Sequence, residues 1–122
     1  MGAPNESAED YLETILILSK QLPVVRSVDI ATELGYKKSS VSVAMKNLRE
    51  KNHITVTPQG YIYLTDSGKT IAENVYERHK WFTKWLISLG VEESIASADA
   101  CKIEHILSRE SFEAIKNSIP NL

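Results

Sequence analysis

Six residues in three separated segments carry donor atoms suited to a metal ion. They are Asp10 and Glu13, then His79, then Cys101, Glu104 and His105. Asp10 and Glu13 stand three apart; Cys101 stands three from Glu104 and four from His105. On an α-helix, residues three and four apart share a face. Three helices that brought these faces together would make a mixed oxygen, nitrogen and sulfur site for a divalent transition metal. The carboxylates suit Fe(II) or Mn(II), the thiolate tilts the set towards Fe(II), and Zn(II), Co(II) or Ni(II) are surrogates. Six donors exceed what a tetrahedral site needs. Two metals per chain, bridged by a carboxylate such as Glu13 or Glu104, therefore stay open.

Each residue also has a plainer reading. Ser7-Ala8-Glu9-Asp10 fits a capping box in which the acid returns a bond to the helix start. Glu13 alone is a solvated acid, and His79 within Arg78-His79-Lys80 an exposed helical residue. Cys101 alone is a small buried hydrophobe. The Cys101, Glu104 and His105 group resists such readings, because soft, charged and imidazole donors share one helical face beside Ile103 and Ile106.

The elements that must position these residues follow from the apolar pattern. Tyr11, Leu12, Ile15, Leu16 and Leu18 predict a helix from Ser7 to Lys20, ended by Pro23. Ser27 caps a short helix through Leu34, stopped by Gly35; Ser39 or Ser40 caps a third with Val41, Met45 and Leu48 inward. Then the period changes. Ile54, Val56, Tyr61 and Tyr63 alternate around Pro58-Gln59-Gly60, which predicts a hairpin. A long helix starts at Thr65 or Asp66 and runs to about Leu89, with Ile71, Val75, Phe82, Leu86 and Leu89 on one side. A fifth helix covers about Glu92 to Leu107. Ser108 caps a sixth, which carries Phe112, Ile115 and Ile119.

Helix, helix, turn, helix, hairpin is the order of a winged helix-turn-helix. The fold class expected is mainly α with a small β-hairpin: a DNA-binding domain over 1–70, then a helical metal-binding and dimerisation domain over 71–122. The net charge of −2 is unpromising for a nucleic-acid binder, but its distribution is not. Tyr36–Asn52 holds Lys37, Lys38, Lys46, Arg49 and Lys51 against Glu50 alone; Gly90–Glu113 holds six acids against two bases. With Val41, Met45 and Leu48 inward, Ser39, Ser40, Ser42, Val43, Lys46 and Asn47 are left for the major groove. Lys37, Lys38 and Arg26 reach phosphates. The aromatic group Trp81, Phe82 and Trp85, with Leu89, suits either a core or a dimer interface.

No run of about 18 apolar residues exists, so no membrane span is expected. The first ten residues lack the basic and apolar regions of a signal peptide. One cysteine cannot form an internal disulfide, which fits a reducing, cytoplasmic setting.

The segments Asp10-Tyr11-Leu12-Glu13, Val28-Asp29-Ile30-Ala31, Ser39-Ser40-Val41-Ser42, Leu64-Thr65-Asp66-Ser67-Gly68 and Cys101-Lys102-Ile103-Glu104-His105 resemble the diphtheria-toxin-repressor family of iron- and manganese-dependent regulators. The resemblance covers about residues 7 to 119. It implies a homodimer that binds double-stranded palindromic operator DNA and holds metal at the hinge between its halves. Asp10, Glu13, His79, Glu104 and His105 match ligand positions of the manganese-sensing branch. Cys101 departs from that branch, which has a carboxylate there, and matches the iron-sensing branch. The iron branch in turn has a thioether in place of Asp10. The sequence ends soon after helix six, so the expectation is that the iron branch's extra SH3-like domain, with its added ligands, is absent. The function implied is metal-dependent repression, not catalysis. Two rivals remain: a metallohydrolase built on the same donors, and a metal-independent or thiol-sensing winged-helix regulator with Cys101 as a redox switch.

Overall fold

The apolar stripes become buried helix faces. The computed structural model describes residues 6–122, with side chains from Ala8 onward. Its described elements are α1 (Glu6–Gln21), α2 (Ser27–Leu34), α3 (Lys38–Glu50), β1 (Ile54–Val56), β2 (Ile62–Leu64), α4 (Asp66–Ser88), α5 (Glu93–Ile103) and α6 (Arg109–Ser118). The described residues divide into two units, 6–73 and 74–122.

In the N-terminal unit, Leu12, Ile15, Leu16 and Leu18 of α1 are buried, as are Ile30 and Ala31 of α2 and Val41, Met45 and Leu48 of α3. α2 ends where Gly35 takes φ 69° and its N–H, with that of Tyr36, returns to the Ala31 carbonyl. Only a residue without Cβ adopts that conformation freely. The cap of α2 differs from the expectation. Arg26, not Ser27, is the N-cap, and its backbone N–H donates to Asp29 Oδ2 at 2.8 Å. Likewise α3 begins at Lys38 with Lys37 as N-cap, ahead of Ser39 and Ser40, and makes no side-chain capping bond. The expected cap at Ser7 lies outside the described side chains.

The hairpin pairs Ile54 with Leu64, Thr55 with Tyr63 and Val56 with Ile62. This register corrects the phase of the second strand. Ile62 is buried and Tyr63 exposed, because side chains alternate and the buried face is already set by Ile54. Val25 bridges Ile62, tying the α1–α2 linker to the hairpin. A Cβ on Gly68 would collide with the His53 carbonyl, which accounts for glycine at the start of α4.

In the C-terminal unit, Phe82, Ala100 and Phe112 form the core, with Trp81, Trp85, Ile103 and Leu107 packed against it. Phe82 meets the rings of Trp81 and Phe112 with centroids 5.2 and 5.7 Å away. Ser108 caps α6 as expected, accepting from the Ser111 N–H at 3.0 Å. Leu89 corrects the inward stripe. It follows the last turn of α4 and is 64% exposed. Gly90, at φ 97°, then turns the chain towards α5.

Candidate metal centre and nucleic-acid interface

The C-terminal unit gathers four of the six candidate donors. α4 supplies His79; the end of α5 and the turn after it supply Cys101, Glu104 and His105. Ligand atoms of His79, Cys101 and Glu104 all lie within 4.8 Å of one another. His79 Nδ1 is 2.9 Å from Glu104 Oε2, where an Nδ1–H donates to the carboxylate. Its Nε2 lies 3.5 Å from Ser97 Oγ. His105 Nε2 is 3.3 Å from Glu104 Oε1, within ion-pair range but without hydrogen-bond alignment.

α5 is shorter than expected. It ends at Ile103, and Glu104, still αR with its N–H returned to the Ala100 carbonyl, caps it on the face that carries Cys101. His105 and Ile106 follow in a tighter turn, with N–H bonds from His105 to Lys102 and from Ile106 to Ile103. An α-helix commonly closes this way when its last carbonyls lack partners.

Glu104 is fully buried, and its Oε1 has no hydrogen-bond partner among the described residues. A buried carboxylate oxygen without one is costly. Burial pushes the Glu104 carboxyl up, but its contacts with His105 and His79 outweigh that and hold it below the ordinary value. The Glu104 carboxyl thus faces imidazole nitrogen and the exposed thiol of Cys101. An under-coordinated buried oxygen among nitrogen and sulfur donors fits a divalent transition cation.

Asp10 and Glu13 share a face of α1 in the N-terminal unit. Asp10 is half-buried, its backbone carbonyl accepting from Thr14 Oγ1 at 2.8 Å, and Glu13 is buried.

The candidate DNA face is the solvent side of α3. Arg26, Lys37, Lys38, Ser39, Ser40, Ser42, Val43, Lys46 and Asn47 are all exposed, opposite the buried Val41, Met45 and Leu48. Val43 is 61% exposed, far more than a β-branched side chain needs to be in a packed domain. Two residues not singled out from the sequence join this face. Arg49 lines a groove of about 180 Å³ with Ser27, Ser42, Met45, Lys46 and Val56. Tyr61 holds Arg26, whose guanidinium stands 4.9 Å from the ring centroid and donates to the hydroxyl at 3.3 Å. Arg49 is visible in the local charge excess; the Tyr61 contact spans 35 positions and leaves no local signal.

The aromatic group expected at a core or a dimer interface divides. Phe82 is 1% exposed in the chain, so it presents no surface to a second copy. Trp81 and Trp85 are half-buried against it, while Leu89 is exposed.

Comparison with known proteins matches both parts of the sequence. Residues 5–61 match the family described as iron dependent repressor, N-terminal DNA binding domain. Residues 65–122 match iron dependent repressor, metal binding and dimerisation domain. An HTH-type transcriptional regulator of Methanocaldococcus jannaschii is 34% identical over 114 residues, covering 92% of this chain and 91% of that protein. The transcriptional regulator MntR of Escherichia coli O157:H7 is 33% identical over 111 residues, covering 91% and 72%. Among solved structures, a manganese-dependent transcriptional repressor in complex with manganese aligns with a TM-score of 0.83 at 25% identity. That alignment covers 93% of this chain and 52% of the other, so the chain spans about half its length. No described helix is long and apolar enough to cross a membrane. The chain belongs to the iron-dependent repressor, or diphtheria-toxin-repressor, family of iron- and manganese-dependent DNA-binding transcriptional regulators.

Proposed function

We propose that this chain is a repressor whose DNA binding depends on Fe(II) or Mn(II). The observation that carries the reading is the His79, Cys101 and Glu104 cluster, in a chain that also presents the exposed serine- and lysine-rich face of α3. His79, Cys101, Glu104 and His105 hold the metal, and Asp10 and Glu13 on α1 are further candidate oxygen donors. A bound divalent cation would supply positive charge to the buried Glu104 carboxylate and fix the side chains that ligate it. A ligand shifts a conformational equilibrium only by its differential affinity for the two states. The donors must therefore be better arranged in the DNA-competent state than in its alternative.

The chain's own residues do the reading of DNA. Ser42 and Val43 face base edges, and the Val43 methyls suit a thymine methyl. Arg26, Lys37, Lys38 and Lys46 meet phosphates, which sets affinity and its salt dependence. Two copies binding as a homodimer match a palindromic operator, with reading heads about 34 Å apart. The exposed Ile87, Leu89 and Ile95, together with half-buried Trp85, offer apolar surface for that dimer. Metal homeostasis in the cytoplasm is the setting that fits.

Anaerobic DNA-binding titrations with Fe(II), Mn(II), Co(II) and Zn(II) test this reading. Tight operator binding that appears only with metal is expected. Equal binding with and without metal would return the thiol-sensing alternative, since Cys101 is an exposed free thiol.

A further inference from the structure

His79 grips the Glu104 side chain, but a different residue grips its backbone. Arg78, the neighbour of His79 on α4, reaches to the turn after α5. Its Nη1 donates to the Glu104 carbonyl at 3.2 Å and to the Leu107 carbonyl at 2.9 Å. The guanidinium also stands 5.6 Å from the Phe112 ring centroid. Arg78 is half-buried, unlike the exposed Lys80 two residues on.

We infer that Arg78 is the positioning residue of the metal-ligand turn, holding Glu104 and His105 at the distances a cation requires. The chemistry is specific. α5 ends at Ile103, so the carbonyls that follow lack helical partners and carry the negative end of the helix dipole. A guanidinium presents several N–H donors in a fixed plane, and Arg78 spends two of them across the Glu104–Leu107 turn. Residues 78 and 79 thus act as a pair on one ligand. Arg78 fixes the main chain of Glu104, and His79 meets its carboxylate. A carboxylate and an imidazole on an unpinned turn must be ordered when the ion binds, and that ordering weakens affinity. Partners that orient ligands without touching the metal are typically worth about 10- to 100-fold in metal affinity.

The inference rests on the metal reading of the cluster, and its test separates the two. Co(II) is titrated into the full chain under anaerobic conditions, reading the Co(II)–thiolate absorption and the d–d bands, for wild type, Arg78→Gln and Arg78→Lys. Circular dichroism establishes the folded fraction of each at the titration temperature. Arg78→Gln should bind Co(II) about 10- to 100-fold more weakly with altered d–d bands. Arg78→Lys, which keeps the charge but not the fork, should fall between. If Arg78→Gln does not fold, Arg78→Lys decides, and it must bind more weakly than wild type. Variants that match wild type in affinity and spectrum, or that lose binding only in proportion to lost fold, would overturn the role of Arg78. Wild-type protein that takes up no Co(II) would overturn the metal reading itself, and this inference with it.

Discussion

α3 and the end of α5 carry the two candidate sites in opposite ways. α3 keeps its chemistry on the outside. Val41, Met45 and Leu48 anchor it, and the serines and lysines opposite are free of structural duty. The α5 terminus keeps its chemistry inside. Glu104 and His105 are buried, and Glu104 is held by side chains of α4. A surface reader can change specificity without changing stability. A buried ligand cluster cannot, because removing one member strands the others.

The largest break in this contrast is expected from the core beneath the cluster. Phe82→Ala should destabilise the chain by about 3–5 kcal/mol. It should also weaken metal binding, because Phe82 packs with Ala100, one residue before Cys101. Urea unfolding together with Co(II) titration reads both. A variant that loses stability but binds metal like wild type would separate the cluster from its core. Cys101→Glu should move the ratio of Mn(II) to Fe(II) activation midpoints towards Mn(II), since a hard carboxylate replaces a soft thiolate. An unaltered ratio would remove Cys101 as the source of selectivity.

The pH response sharpens the comparison further. Glu104 is held below the ordinary carboxylate value of 4.5 in the fold. A carboxyl depressed in the native state contributes stability that is complete above its unfolded value and lost as pH falls through the folded one. The melting temperature of metal-free protein should therefore drop as pH falls below about 4.5. Glu104→Gln should flatten that drop, and parallel curves for the two proteins would discount the histidine contacts as its cause. At the surface the effect is smaller. Lys37→Ala should leave unfolding within about 0.5 kcal/mol and make the salt dependence of DNA binding shallower by about one unit. A steep loss of stability instead would mean that α3 is not the free surface described.

What the sequence disclosed follows the same division. The α3 face was legible because an i, i+4, i+7 stripe fixes which residues point inward and leaves the remainder exposed. The candidate donors were legible as residue types, and four of them gather in the C-terminal unit. The geometry of the meeting was not. The helical face expected for Cys101, Glu104 and His105 extends as far as Glu104, whose N–H still returns to the Ala100 carbonyl, and a tighter turn presents His105. Helix ends are set by which carbonyls find partners, and here the partner is Arg78, 26 positions away in sequence. The strand phase at Tyr61–Tyr63 failed for a similar reason. Pairing with Ile54 and Val56, and the bridge to Val25, decide which side chains are buried. Phe82 suited a core or an interface equally until its contacts with Ala100 and Phe112 were known.

On this reading the end of α5 senses and α3 reads. The most direct measurement compares DNA affinity with and without Mn(II) for wild type, Glu104→Ala and Lys46→Ala. Glu104→Ala should lose the metal-induced gain while keeping the weak metal-free affinity. Lys46→Ala should bind more weakly in both conditions with the gain unchanged. A Glu104→Ala protein that still responds to metal, or a Lys46→Ala protein that loses its response, would contradict the division.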